Sequence, residues 1–416
     1  MNMYLIAVLC FLLLSWLLSC AASYLNARAM RPEPPEEFAD AIDAATYAKA
    51  RNYARATMRH TLISSTTDTA LVLIFLLAGG FNWLDTLIRA AGFGPTPTGL
   101  LYIGALALGS WLASLPFEVY HTFVLENRFG FNTTTLRTFA ADRIKGVILT
   151  AFLGGALLAA ILFFFQYTGQ WAWVWCWGFA TAFSLALTYV APTWILPLFN
   201  KFSPLENEEL RRTITDYAAK TGFQLSGIFV MDGSKRTTKA NAFFTGFGSK
   251  RRIALFDTLV NSHGPEEILA VLAHEVGHAK LGHIRKRLVA SILKTGLIFF
   301  LMSLVMNSPA LFRAFGMEHM SIHAGLVFFF LLYTPAAMLL SVAENALSRR
   351  HEYQADAFAR QTTGRPEALV RALKSLSVSG LSNLTPHWLA IWLEYSHPPV
   401  LDRVRALRTS GENART

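Results

Sequence analysis

The sequence predicts a mainly α, polytopic membrane protein with seven transmembrane helices and a split α+β domain on one face of the bilayer. Three observations predict it. Hydrophobic residues make up 53% of the 416 and charged residues only 15%, whereas soluble domains carry about 25% charged residues. Seven apolar runs reach or approach the ~20 residues that cross a ~30 Å hydrocarbon core. Basic residues alternate between the segments joining those runs, as they do when successive segments lie on opposite sides of a membrane.

The first run, 3–22, has the length of a secretory signal, and Leu17-Leu18-Ser19-Cys20 resembles a lipoprotein cleavage site. No positive charge precedes it, so a retained span is expected. The other runs are 68–88, 99–123, 144–167, 171–196, 288–305 and 323–342. Pro116 beside Glu118 in the third and Pro192 in the fifth predict kinks supported by neighbouring helices or water. Asp68, Glu118 and His121 would be costly facing lipid; a watery interior or hydrogen bonds between helices would accommodate them equally well.

Among the connecting segments, the first carries Arg28, Arg31, Lys49, Arg51, Arg55 and Arg59, and the second little beyond Arg89. The third holds Arg128, Arg137, Arg143 and Lys145, and the fourth has no basic residue. The fifth is long and basic, and the sixth has Arg313 alone. This pattern places the N-terminus outside, and the large loop and C-terminal segment in the cytoplasm. The same asymmetry accounts for the net charge of +10 as topology and attraction to anionic lipid, so a bilayer is the expected partner and nucleic acid is not. Cys10, Cys20 and Cys176 lie in apolar runs, giving neither a disulfide framework nor a CxxC pattern.

The organisation that follows is a membrane segment 1–198 with five spans, a polar segment 199–287, two further spans in 288–345 and a second polar segment 346–416. The polar segments share one face and form one domain divided by the last two spans. Within them, 206–221 reads as an amphipathic helix through Leu210, Ile214 and Tyr217, 227–232 and 252–256 as short strands, and 265–283 and 349–360 as helices.

The helix 265–283 contains His274-Glu275-Val276-Gly277-His278, which puts two imidazoles four residues apart on one helical face. That spacing suits two ligands of one Zn2+ ion, with Glu275 placed to take the proton of a water attacking a carbonyl. A catalytic zinc needs a third protein ligand and an open position. The Gly and His of a metzincin extension are absent, since Leu281 and Ile284 occupy those places. His283 is offset by one position and is expected at the surface or behind the ligands. Glu352, in Ser348-Arg349-Arg350-His351-Glu352-Tyr353-Gln354-Ala355-Asp356, is the better third ligand, on a helix expected to start where the last span ends. Asp356, one turn on, is positioned to hydrogen-bond a ligand imidazole; an ion pair of Glu352 with Arg349 is the plainer alternative.

Together with Asn241-Ala242-Phe243-Phe244-Thr245-Gly246-Phe247, Ser396-His397-Pro398-Pro399, Pro197-Leu198-Phe199-Asn200-Lys201-Phe202 and Glu126-Asn127-Arg128-Phe129-Gly130-Phe131-Asn132, these motifs make the chain resemble the type 1 CAAX prenyl protease family over nearly its whole length. The resemblance implies seven spans around a water-filled interior chamber and a zinc-peptidase domain with ligands His274, His278 and Glu352 and catalytic base Glu275. It implies that Asn241, Ala242 and Phe243 bind substrate on an exposed strand, that His397 stabilises the oxyanion, and that the substrate is a peptide or protein, prenylated at a CAAX end and cut before its last three residues. By analogy Asp356 is also a candidate proton donor, though its position favours an imidazole partner. A bacterial inner membrane with the peptidase domain in the cytoplasm is expected. The rivals are a quality-control peptidase of membrane proteins without prenyl specificity, and a seven-helix transporter or receptor, which leaves the zinc motif without a role.

Overall fold

The computed structural model describes residues 2–245 and 252–412. Among them, seven helices are long and apolar enough to cross a membrane: Met3–Arg28, Ala44–Leu77, Pro95–Phe129, Leu136–Tyr167, Gly169–Phe199, His283–Val305 and Ile322–Thr363. The expected count holds, but the helices outrun the apolar runs, with the fourth starting at Leu136 rather than 144, and the second, sixth and seventh differ most in consequence. The second span begins well before 68 and ends at Leu77, because Gly79 adopts φ +72 and turns the chain into a separate short helix, Gly80–Arg89. A left-handed residue of this kind ends a helix, and glycine adopts it without steric cost. The sixth span begins at His283 rather than 288, and the seventh runs through the third-ligand segment to Thr363 without a break.

The proline-bearing spans stay helical. Pro116 lies inside Pro95–Tyr120, which widens into a π-type turn at His121–Glu126, and Pro192 lies in a similar turn at Ala191–Ile195. Such turns absorb the hydrogen bond that a proline or an insertion removes. At most 17% of the residues in the most apolar stretch of each span are buried, and the buried ones gather in two clusters, one joining the first, second, third and seventh spans and one joining the fourth to the seventh. Of the intramembrane polar residues, Glu118 pairs with Arg143 at 3.2 Å, and Asp68, Glu118 and His121 line a common cavity of about 290 Å³. The pairing of Glu118 with Arg143 ties the third span to the fourth.

The polar segments build one body. A four-stranded sheet has the order β1 (Phe202–Pro204), β2 (Gly227–Met231), β4 (Arg252–Phe256), β3 (Ala242–Thr245), with β2 and β4 parallel and the outer pairs antiparallel. Leu210 and Ile214 of helix Glu208–Lys220 and Ile268 and Leu272 of helix Pro265–Lys280 pack with Ile253 and Leu255 of the sheet. An adjoining side of the Pro265–Lys280 helix, through Ala273 and Val276, packs with Ala359, Leu369 and Val404, joining residues from both polar segments in one core.

Two polar ties fix this body to the spans. Arg236 donates from Nε and Nη2 to Asp142 at 2.7 and 3.0 Å, and to the Phe199 carbonyl at 2.7 Å. Lys239 donates to Glu126 at 2.9 Å, and Tyr53 donates to the other oxygen of that carboxylate at 2.5 Å. The motifs around Glu126 and Phe199 thus act as docking points between membrane and polar body.

Candidate active site

The helix Pro265–Lys280 starts well for simple reasons. Pro265 needs no hydrogen-bond partner for its nitrogen, Glu266 and Glu267 lie at the positive end of the helix dipole, and Glu267 accepts from the Gly264 amide at 3.3 Å. Its second half brings His274 and His278 onto the face that crosses the long helix Ile322–Thr363. Gly277 permits the crossing, since a Cβ there would stand 3.1 Å from Ala355 Cα. The crossing sets Glu352 opposite the two histidines.

His274 Nε2 and His278 Nε2 stand 3.2 Å apart. Glu352 Oε1 is 3.2 Å from His278 Nε2, and Oε2 is 3.3 Å from His274 Nε2. Ligands of a tetrahedral ion bound at ~2.0 Å lie about 3.3 Å from one another, so the donor set fits zinc in number, type and spacing. Glu352 is 1% exposed, and its Oε2 is a buried oxygen without a hydrogen-bond partner, a costly arrangement unless a cation meets it. Burial alone would lower the pKa of His274, yet the neighbouring Asp356 and Glu352 carboxylates carry it up to about 9. The pocket therefore favours positive charge.

Asp356 Oδ1 lies 2.7 Å from His274 Nδ1, and Arg403 grips both Asp356 oxygens, from Nη2 at 2.6 Å and Nε at 2.8 Å. The Asp356 carboxylate thus faces an imidazole. Arg403, 7% exposed, also approaches Glu352 at 3.7 Å. It escaped the sequence reading because nothing local marks an arginine of the helix Val400–Glu412 as buried; its six-residue offset from His397 is the one available signal. Arg349 does not pair with Glu352. It donates to the Ile391 and Tyr395 carbonyls, both at 2.8 Å, holding the segment that leads to His397.

Glu275 is half-buried beside the cluster, and burial raises its carboxyl pKa against the pull of His274 and His278. His397 is exposed, its Nε2 3.5 Å from Glu352 Oε1 and its Nδ1 3.0 Å from Ser396 Oγ. It lines a cavity of about 910 Å³ with Tyr53, Lys239, Asn383 and Tyr395. His283, far from the surface at 1% exposed, sits behind His278, because the motif helix ends at Lys280 and Gly282 turns the chain with φ +71.

Ala242 and Phe243 lie on β3, the edge strand, and Asn241 immediately precedes it. Asn241 O accepts from Phe256 N at 3.0 Å, so by alternation the backbone groups of Ala242 and Phe244 face away from β4. Asn241 Oδ1 accepts the Ala242 amide at 2.8 Å. The remainder of that motif, Gly246 and Phe247, lies outside the described residues.

Fold and site together define a multi-pass membrane metallopeptidase. The model described as CAAX prenyl protease N-terminal, five membrane helices, matches residues 23–201, and Peptidase family M48 matches residues 204–410. The chain belongs to the CAAX prenyl protease branch of peptidase family M48. The CAAX prenyl protease 1 homolog of Oryza sativa subsp. japonica is 36% identical, over 97% of each chain. CAAX prenyl protease 1 of Saccharomyces cerevisiae is 35% identical, over 90% of this chain and 88% of its own. The crystal structure of S. mikatae Ste24p superimposes with a TM-score of 0.93 at 32% identity, covering 98% of this chain and 99% of that one.

Proposed function

We propose that this chain is a zinc metalloendopeptidase that hydrolyses a peptide bond near the C-terminus of prenylated CAAX proteins. The observation that carries it is the convergence of His274, His278 and Glu352 at tetrahedral ligand spacing around a buried, otherwise unsatisfied carboxylate oxygen. The names of the relatives supply the substrate class.

In this reading His274, His278 and Glu352 hold the metal, which would polarise the scissile carbonyl and acidify a water. Glu275 takes the proton of the attacking water and returns it to the leaving amine. Ser396 donating to Nδ1 of His397 leaves the proton on Nε2, the atom facing the site, where it stabilises the developing oxyanion. Asp356, pinned by Arg403, orients His274 and is itself too enclosed to donate a proton to substrate. Of Asn241, Ala242 and Phe243, Ala242 turns its backbone groups away from β4, as Phe244 does, and these receive the substrate backbone as an added strand flanked by the other two residues.

The alternation of basic residues supports a cytoplasmic peptidase domain. Placement in a bacterial inner membrane rests on compositional style alone, while the named relatives come from eukaryotes.

The test compares a farnesylated CAAX peptide with its unprenylated twin, using wild type and Glu275→Gln, with zinc measured on both. Cleavage of the prenylated peptide alone by wild type, with a zinc-loaded but inactive variant, is the expected result. Equal cleavage of both peptides would favour the quality-control peptidase, and a wild type that holds no zinc would overturn the metal assignment.

A further inference from the structure

His283 touches the metal-site histidines but is not used by the reaction above, although at 1% exposed it is enclosed as completely as Glu352. Its Nδ1 lies 3.1 Å from Nδ1 of His278, and its Nε2 lies 2.9 Å from Oε1 of Gln354. Its ring stacks on His351, with centroids 4.0 Å apart and planes at 11°. The left-handed turn at Gly282 returns the chain so that a residue five positions after His278 lies directly behind it.

We infer that His283 is a positioning residue that fixes which nitrogen of His278 faces the metal. The inference rests on the zinc reading. A carboxamide oxygen only accepts, so the proton of a neutral His283 sits on Nε2 and its Nδ1 offers a lone pair. That lone pair takes the Nδ1 proton of His278, leaving Nε2 of His278 bare toward His274 and Glu352. The two histidine ligands are consequently supported in different ways. His274 leans on a carboxylate, Asp356, that Arg403 neutralises, whereas His278 leans on an uncharged imidazole and amide in series. The uncharged acceptor orients His278 while raising its basicity less than a carboxylate would, so less of the metal's charge is offset on the His278 side.

The test uses full-length protein in detergent and measures zinc affinity by competition with a chromophoric chelator, alongside thermal midpoint, kcat and KM. His283→Leu removes the acceptor and is expected to weaken zinc binding about 10- to 100-fold, the usual effect of losing such a partner, with kcat lowered and KM unchanged. His283→Asn places Oδ1 where Nδ1 stood and is expected to recover most of the affinity. Equal zinc affinity in wild type and His283→Leu overturns the inference, as does an Asn variant no better than Leu, because packing alone would then explain the residue. If His283→Leu fails to fold, Gln354→Leu carries the test: the ring remains but its tautomer is freed, and an unchanged zinc affinity overturns the inference. Wild type without zinc would sink the metal reading first, which separates the two failures.

Discussion

At the scale of single residues, the site divides into groups that its own helix places and groups that only tertiary structure brings in. His274, Glu275 and His278 were legible because four-residue spacing on a helix is a local property. Glu352 and Asp356 were legible as a second pair one turn apart that meets the histidine pair, although which imidazole Asp356 would take was not. Arg403 and Gln354 were illegible, since burial of a long polar side chain depends on elements distant in sequence. Glu275→Gln is expected to lower kcat by at least 10²- to 10⁴-fold, the usual loss for a general base, with zinc content unchanged by metal analysis. Arg403→Met should cost about 3–5 kcal/mol by leaving Asp356 buried without its cation, seen as a lower thermal midpoint together with weaker zinc retention.

Secondary-structure elements were legible where one face is apolar and the ends carry their own signals. The helix expected over 206–221 is Glu208–Lys220, capped by Asn207 accepting from Leu210 N at 2.9 Å, and the strand 252–256 is Arg252–Phe256. Boundaries inside continuous apolar sequence were not, because hydropathy does not register a two-glycine break such as Gly79-Gly80 or the passage of a span into a polar helix. Where elements cross, size is decisive: Gly277→Val would drive methyl groups into the Ala355 backbone and is expected to destabilise by about 1–3 kcal/mol, measured by thermal melt, with loss of zinc as the helices part. On the edge strand, Ala242→Pro removes an outward amide and no ladder bond, a change such strands tolerate. Cleavage should fall strongly in a peptide assay while zinc content and melting temperature stay near wild type.

For the whole molecule, hydropathy was enough for the number of spans, and the charge pattern predicts their sidedness, while the way the polar body is joined to them became visible only in three dimensions. A second buried polar cluster lies near the start of the long helix. There His323 meets Asp85 at 2.6 Å, and Asp85 also accepts from Arg89 at 2.6 Å. At ~1.5 Å per residue this cluster is about 44 Å along the helix from Glu352. Asp85→Leu is expected to lower stability by about 3 kcal/mol through the stranded partners and to leave zinc content unchanged, a separation that melting curves and metal analysis on the same samples would read. The unbroken helix Ile322–Thr363 also acts as a ruler. Its apolar stretch ends near Val342, and Glu352 lies ten residues further on, which sets the reacting carbonyl about 15 Å above the hydrocarbon edge. An extended chain spans that height in four or five residues at ~3.3–3.6 Å each. That is more chain than separates the lipid-bearing cysteine of a CAAX end from the bond that follows it, so a substrate cut at this height has to lift its prenyl group out of the hydrocarbon edge.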